Sequence, residues 1–136
     1  MFISPDMKSI VICGSSQFAS EVMEFIAGLR HLGITVYEPE FYRVRGGDWS
    51  RLSEYDKRFV AAGLTYGHFN KIRLADVVFI YNKDGHIGKS TGMEIGYAVA
   101  HAKPIYAFSD KENDLRTAIL FQAIISTPAT LAALLR

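Results

Sequence analysis

Apolar residues along this chain follow two rhythms. Ser9 to Cys13 and Asp76 to Tyr81 are short β-branched and aromatic runs, the pattern of strands buried on both faces. From Phe18 to Leu32, apolar positions at Phe18, Val22, Phe25, Ile26 and Leu29 recur at helical spacing, and Gly33 follows as a stop. Ile34 to Tyr37 reads as a second strand. Glu38 to Asp48 then breaks the rhythm with Pro39, several aromatics, Arg43, Arg45 and Gly46-Gly47, and long irregular stretches of this kind are often functional. Ser50 to Leu74 is helical in character, with an interruption expected near Gly63 to Gly67. After the Asp76–Tyr81 strand, a polar glycine-rich loop leads into a helix over Met93 to Ala102, and Pro104 to Phe108 reads as a fourth strand. Asp110 to Thr117 is polar with helical potential, and Phe121 to Ile125 is a candidate fifth strand. Thr127-Pro128 sets up an N-cap with proline at N1 for a last helix to about Leu135. Strands alternating with helices predict a single-domain three-layer α/β/α sandwich over residues 1–136. Its five-stranded parallel sheet is expected to be flavodoxin-like (Rossmann-like), in the order 2-1-3-4-5.

Composition narrows the function classes. The 136 residues are 49% apolar, enough to bury a core in one domain. A net charge of +1 argues against a nucleic-acid polymer as partner. The single cysteine, Cys13, rules out an internal disulfide and fits a reducing compartment. No apolar run reaches the roughly 20 residues that span a bilayer. Met1 to Ser9 lacks the basic start and long apolar core of a signal peptide. A soluble cytoplasmic protein is the expectation.

Two loops carry candidate chemistry. Gly14-Ser15-Ser16-Gln17-Phe18 places N–H groups and two hydroxyls ahead of a helix, which is a seat for phosphate. It matches neither the dinucleotide fingerprint nor the Walker A pattern, and serines are equally good N-caps. Lys83 to Thr91 leaves a strand at its carboxyl end, where α/β proteins place ligands, and runs into Glu94 in the first helical turn. Thr91-x-x-Glu94 spells a capping box. The same carboxylate, stabilised as an anion beside a helix N-terminus, can equally be a nucleophile or stabilise an oxocarbenium-like sugar. Asn82 and Asp84 read as ribose contacts or as turn residues. His68 is either a packing residue or faces the same cleft. Phe41, Tyr42 and Trp49 can stack on a base with Arg43 and Arg45 near a phosphate, or belong to a solvated loop. The histidines and carboxylates form no metal-ligand spacing, and no cofactor is implied. A response-regulator receiver would need an acidic pair after the first strand, and a flavodoxin a longer phosphate loop.

Taken together, several segments resemble the nucleoside 2-deoxyribosyltransferase superfamily over roughly Ser9 to Phe108. They are Cys13-Gly14-Ser15-Ser16-Gln17-Phe18, Ala75-Asp76-Val77-Val78, Asn82 through Thr91, Glu94-Ile95-Gly96-Tyr97-Ala98 and Lys103-Pro104-Ile105-Tyr106. The Glu-Ile-Gly-Tyr-Ala run is the most specific. The resemblance implies that Glu94 attacks C1′ of a nucleoside sugar as the base departs, giving a covalent glycosyl-enzyme that water or a second base resolves. Some members are N-glycosidases acting on nucleoside 5′-monophosphates, whose serines hold the phosphate. Ser15, Ser16 and Ser90, with Lys89 or Thr91, match that arrangement. Gly14, Gly88, Asn82 and Asp84 complete the implied substrate-binding set.

The departures are specific too. His68 stands where the transferases carry an acidic residue that handles the leaving base, Gly88 where they carry an aspartate, and Ile12 where they carry a tyrosine. Their extended carboxyl-terminal tail is replaced by an ordinary helix ending at Arg136. These differences count against base exchange between free nucleosides. His68, with a pKa near neutrality, can instead protonate a departing base. The implied function is an N-glycosidase or deoxyribosyltransferase-like enzyme acting on a small nucleoside or nucleotide. The alternative is a non-catalytic nucleotide-binding or signalling module of the same fold. The resemblance further implies a homodimer or higher homo-oligomer.

Overall fold

The structure, a computed structural model, describes residues 7–42, 46–111 and 114–136. Five parallel strands form one sheet: β1 (Ile10–Gly14), β2 (Val36–Tyr37), β3 (Val77–Tyr81), β4 (Ile105–Ala107) and β5 (Ala123–Ile124), in the order β2-β1-β3-β4-β5. The order is the one the alternation of elements predicts. Five helices flank the sheet: α1 (Ala19–His31), α2 (Glu54–Leu74), α3 (Lys89–Ala100), α4 (Leu115–Ala118) and α5 (Pro128–Leu134). Among the described residues, no helix is long and apolar enough to cross a membrane.

The continuous apolar runs are explained by burial on both faces. Ile10 and Ile12 of β1, with Val77, Phe79 and Tyr81 of β3, join Val22, Phe25, Ile26 and Leu29 of α1 and Leu131 of α5 in one layer. Val11 and Cys13, with Val78 and Ile80, face the other way into a layer with Ile72 of α2 and Ile95 and Ala98 of α3. Alternation along the strands decides which side chain reaches which helix pair. Cys13 therefore lies under α2 and α3.

Local chemistry sets the element ends. Gly33 adopts φ 83° and donates its N–H to Arg30 O, closing α1 as the sequence indicates. Thr127 caps α5 by accepting from Thr130 N, with Pro128 in the first turn. Asp76 and Ser9 bond reciprocally, Ser9 N to the carboxylate at 2.8 Å and Asp76 N to the Ser9 hydroxyl at 3.1 Å, which ties the starts of β1 and β3 together.

One expectation fails. α2 runs unbroken for 21 residues through Gly63 and Gly67. Ser53 caps its N-terminus, Glu54 and Asp56 lie in its first turn, and Lys71 and Arg73 in its last. These favourable ends, together with the burial of Ile72 and His68, outweigh the roughly 1 kcal/mol that each interior glycine costs relative to alanine. A side chain at Gly63 would meet nothing within 4 Å. Gly63→Ala should therefore stabilise the fold by about 0.4–1 kcal/mol in urea denaturation, and destabilisation would show that α2 needs the glycine.

Candidate active site

The carboxyl end of β1, the chain after β2, the middle of α2 and the N-terminal half of α3 surround a cleft of about 480 Å³, a size suited to a small ligand. Gly14, Ser15 and Ser16 form one wall, Gly88 through Thr91 another, and Glu40 and Phe41 a third, while His68 and Glu94 also face it. Nine of the eleven residues that the resemblance implies for catalysis or for holding sugar and phosphate, Gly14, Ser15, Ser16, His68, Gly88, Lys89, Ser90, Thr91 and Glu94, thus meet in one place.

The other two, Asn82 and Asp84, lie outside this cleft. Asn82 is buried and held by three bonds: its side-chain amide donates to Ser109 O at 3.1 Å, and its oxygen accepts from Phe108 N and Ser109 N. It fastens the end of β3 to the chain leaving β4. Asp84 takes φ 56°, a left-handed conformation that aspartate tolerates, and its exposed carboxylate is 3.7 Å from the Lys111 ammonium. Lys83 meanwhile pairs with Glu21 on α1 at 2.8 Å. These contacts turn the loop toward α1 and the β4 edge, away from α2.

The capping box is also absent. The N-cap of α3 is Gly88, in extended backbone, and makes no side-chain cap bond. Thr91 lies in the first turn with its side chain buried, so it cannot cap, and Glu94 falls in the second turn. Ser15 does act as an N-cap, accepting from Gln17 N at 3.3 Å at the start of a short 3-10 turn over Ser16–Phe18. Its hydroxyl proton remains available to a ligand. Phe41 is packed into the core while forming cleft wall. Tyr42 and Trp49 meet edge to face, and neither lines the cleft. Arg43 and Arg45 lie outside the described residues.

Three polar side chains from three elements converge at the floor, His68 and Glu94 lining it and Cys13 just beneath. Cys13 Sγ of β1 is 3.3 Å from His68 Nε2 of α2, and that nitrogen is 3.7 Å from Glu94 Oε2 of α3. Cys13 is fully buried, His68 nearly so, and the Glu94 side chain is 15% exposed. Burial, followed by the charge of Lys71, holds the His68 imidazole down to about 4. Burial raises the Glu94 carboxyl to about 7, partly offset by a hydrogen bond from the Cys13 thiol. Burial first, and then Glu94, push the thiol well above its ordinary range. His68 and Glu94 are consequently not charged together at any pH, and their approach is that of a neutral imidazole to a carboxyl or carboxylate. The expectation that His68 titrates near neutrality is corrected, because the reference value applies to a solvated ring and this one is desolvated.

Cys13 is the member of this cluster that sequence analysis does not nominate. Its signal was present in the period-2 alternation, which places Cys13 on the face opposite Ile12 at the strand's carboxyl end. On α2, helical spacing from Leu64 through His68 to Ile72 would likewise have marked the cleft-facing side.

No protein-family model matches the sequence, and comparison with curated proteins gives no match. Among solved structures, the fold is similar to that of a 2-deoxyribosyltransferase from the psychrotolerant bacterium Bacillus psychrosaccharolyticus. The TM-score is 0.65 at 19% identity, over 91% of this chain and 90% of that one. It is also similar to a conserved protein from Enterococcus faecalis V583, with a TM-score of 0.61 at 16% identity over 93% and 96% of the two chains. These likenesses show a deoxyribosyltransferase-like fold, the one that the motif resemblance implies.

The raised Glu94 pKa has a consequence for stability. The folded chain keeps a proton that the unfolded chain releases at its ordinary pKa of 4.5, so stability falls as pH rises from there through about 7. The full cost above that window is about 3 kcal/mol. Glu94→Gln, which keeps the shape without the charge, should be more stable than the parent by about that amount at about pH 8, with the difference vanishing near about pH 4. Denaturant melts at the two pH values measure it, and a pH-independent difference would mean an ordinary carboxyl.

Proposed function

We propose that this protein cleaves the N-glycosidic bond of a nucleoside, and preferentially of a nucleoside 5′-monophosphate, through a covalent intermediate on Glu94. The observation that carries this reading is a half-dry carboxyl on the floor of a nucleotide-sized cleft, between the Ser15–Ser16 loop at the carboxyl end of β1 and the hydroxyl-bearing first turn of α3. The shared fold with a 2-deoxyribosyltransferase supports it.

In the proposed reaction, the Glu94 carboxylate attacks C1′ as the bond to the base nitrogen breaks, and the bonding pair leaves with the base, which takes up a proton. Water then attacks C1′ of the glycosyl ester and gives up a proton, releasing the sugar and restoring the carboxylate with net retention. Transfer to a second base is the same chemistry with another acceptor. Ser15, Ser16 and Ser90 donate to the phosphate, and Lys89, the only lysine or arginine among the described residues lining the cleft, supplies a positive charge. Phe41 and Phe69 are the aromatic walls against which the base would rest. Tyr55, Phe59 and Tyr66 leave an exposed aromatic face on α2 that supports assembly into a homo-oligomer.

Because attack requires the ionised form, kcat/KM should rise about tenfold per pH unit below about 7 and level off above it. Incubation with a panel of ribo- and deoxyribonucleosides and their monophosphates, followed by chromatography of free base, tests the reading. Release is expected for the parent and should be lost in Glu94→Ala. No release across the panel, and no exchange with an added base, would sink it.

A neutral His68 leaves the cleft without an obvious proton donor at neutral pH, and this observation favours the second reading, a nucleotide-binding module without turnover. In that case Glu94→Ala should keep ligand affinity and neither form should release base. The role of His68 within the enzyme reading is separable. As a general acid, its replacement in His68→Gln should cost about 10²–10⁴ in kcat for ordinary bases and far less for an activated leaving group. As a partner that only orients Glu94, the glutamine amide should preserve most activity with both substrates.

A further inference from the structure

We infer that Cys13, His68 and Glu94 form a site for one thiophilic divalent cation, with Zn2+ the best fit, on the floor of the cleft. Sγ, Nε2 and a carboxylate oxygen all lie within 4.8 Å of one another, with separations of 3.3 Å from sulfur to nitrogen and 3.7 Å from nitrogen to Oε2. A tetrahedral zinc, bonded at about 2.3 Å to sulfur and about 2.0–2.2 Å to nitrogen and oxygen, keeps its ligand atoms about 3.3–3.7 Å apart. The sulfur–nitrogen and nitrogen–oxygen separations therefore already stand near the edge lengths of a zinc tetrahedron, and the third, within 4.8 Å, needs at most a small side-chain adjustment to close. Three protein ligands leave a fourth position, the arrangement of sites that keep room for water or a substrate atom.

The donor set suits the cation as well as the geometry does. One thiolate, one carboxylate and a neutral imidazole balance a charge of +2, so the loaded floor carries no net charge. That matters where Ile72, Ile80 and Ile95 pack in the same layer and isolated charge is disfavoured. A mixed sulfur and nitrogen set in tetrahedral geometry selects zinc over magnesium or calcium. On loading, the Cys13 thiol and any protonated Glu94 release their protons to solvent, and the imidazole offers the Nε2 lone pair with its proton on Nδ1. No electron transfer is involved. β1, α2 and α3 bring the three ligands together without a metal.

Binding of the cation does not depend on the glycosidase reading, although its consequence does. A metal-bound Glu94 no longer presents a free carboxylate to C1′, so Zn2+ should inhibit base release.

The test is a titration of chelator-stripped protein with Co2+ as a spectroscopic stand-in, followed by displacement with Zn2+. One equivalent of Co2+ should give tetrahedral absorption and a thiolate-to-cobalt charge-transfer band, both abolished by one equivalent of Zn2+. Cys13→Ser should lose the charge-transfer band, and its Zn2+ affinity should fall by more than the roughly 10–100-fold that loss of a ligand's supporting hydrogen bond causes. Glu94→Gln should keep the band and bind more weakly, which provides a second reading if Cys13→Ser fails to fold by circular dichroism. Folded parent protein without the charge-transfer band would overturn the site. So would Zn2+ affinity unchanged in Cys13→Ser, or in Glu94→Gln where only that variant folds, because binding would then lie elsewhere, as on the exposed histidines His31, His86 and His101. Failure of base release in the substrate panel would leave this titration unaffected.

Discussion

The carboxyl of Glu94 is held where water has largely been removed, and the rest of the cleft is arranged around that constraint. Two effects compete over its charge. A helix N-terminus favours a carboxylate by about 0.3–1 kcal/mol, an influence that fades within the first turn. Glu94 sits in the second turn of α3, and its burial raises the pKa to about 7, a cost of about 3 kcal/mol for the ion. Burial wins. The group is thereby close to balance between acid and anion at neutral pH, a condition useful for chemistry and poor for stability.

What keeps that floor in place is remote from it. The reciprocal bonds of Ser9 and Asp76 fix the starts of β1 and β3, and Asn82 locks the far end of β3 to the chain beyond β4. With both ends of the central strands fixed, the register that pairs Gly14 with Tyr81 is fixed too. A Cβ on Gly14 would come within 3.3 Å of Tyr81, so the glycine lets the first loop leave the sheet close against β3. Sequence motifs such as Ala-Asp and the asparagine after β3 thus belong to the frame that aims the site.

The parts of the fold that were legible in the sequence share one property: a single local rule dominates them. β1 and β3 are unbroken apolar runs because both faces are covered, and α1 shows its stripe because only one face is buried. α2 departs from its sequence pattern near Gly63 and Gly67, because propensity penalises glycine whereas well-capped ends and the burial of His68 and Ile72 carry the helix through. Thr91 misled for a related reason. The spacing Thr-x-x-Glu fits a capping box, but the helix starts three residues earlier and uses Thr91 to pack. Cys13, His68 and Glu94 are far apart in the chain, so no spacing could reveal their meeting. Only topology and alternation, applied together, bring them to one point.

The substitutions that distinguish this cleft from the transferase pattern have a physical meaning once the distances are known. An acidic side chain at position 68 would stand beside Glu94, where Nε2 now lies 3.7 Å from its carboxylate. Two carboxylates that close in a half-dry floor would drive one pKa further up and leave less ionised carboxylate at neutral pH. The neutral imidazole removes that repulsion, and removes with it a strong proton donor. At position 88, glycine contributes no charge, and a Cβ there would lie no nearer than 3.8 Å to His86. Gly88 and Lys89 also border a second hollow of about 290 Å³ on the other side of the α3 N-terminus. Relative to an aspartate, the glycine opens that edge of the cleft and places no carboxylate immediately before Lys89. Both differences lower the negative charge of the cleft, the direction that the proposed phosphorylated substrate would require.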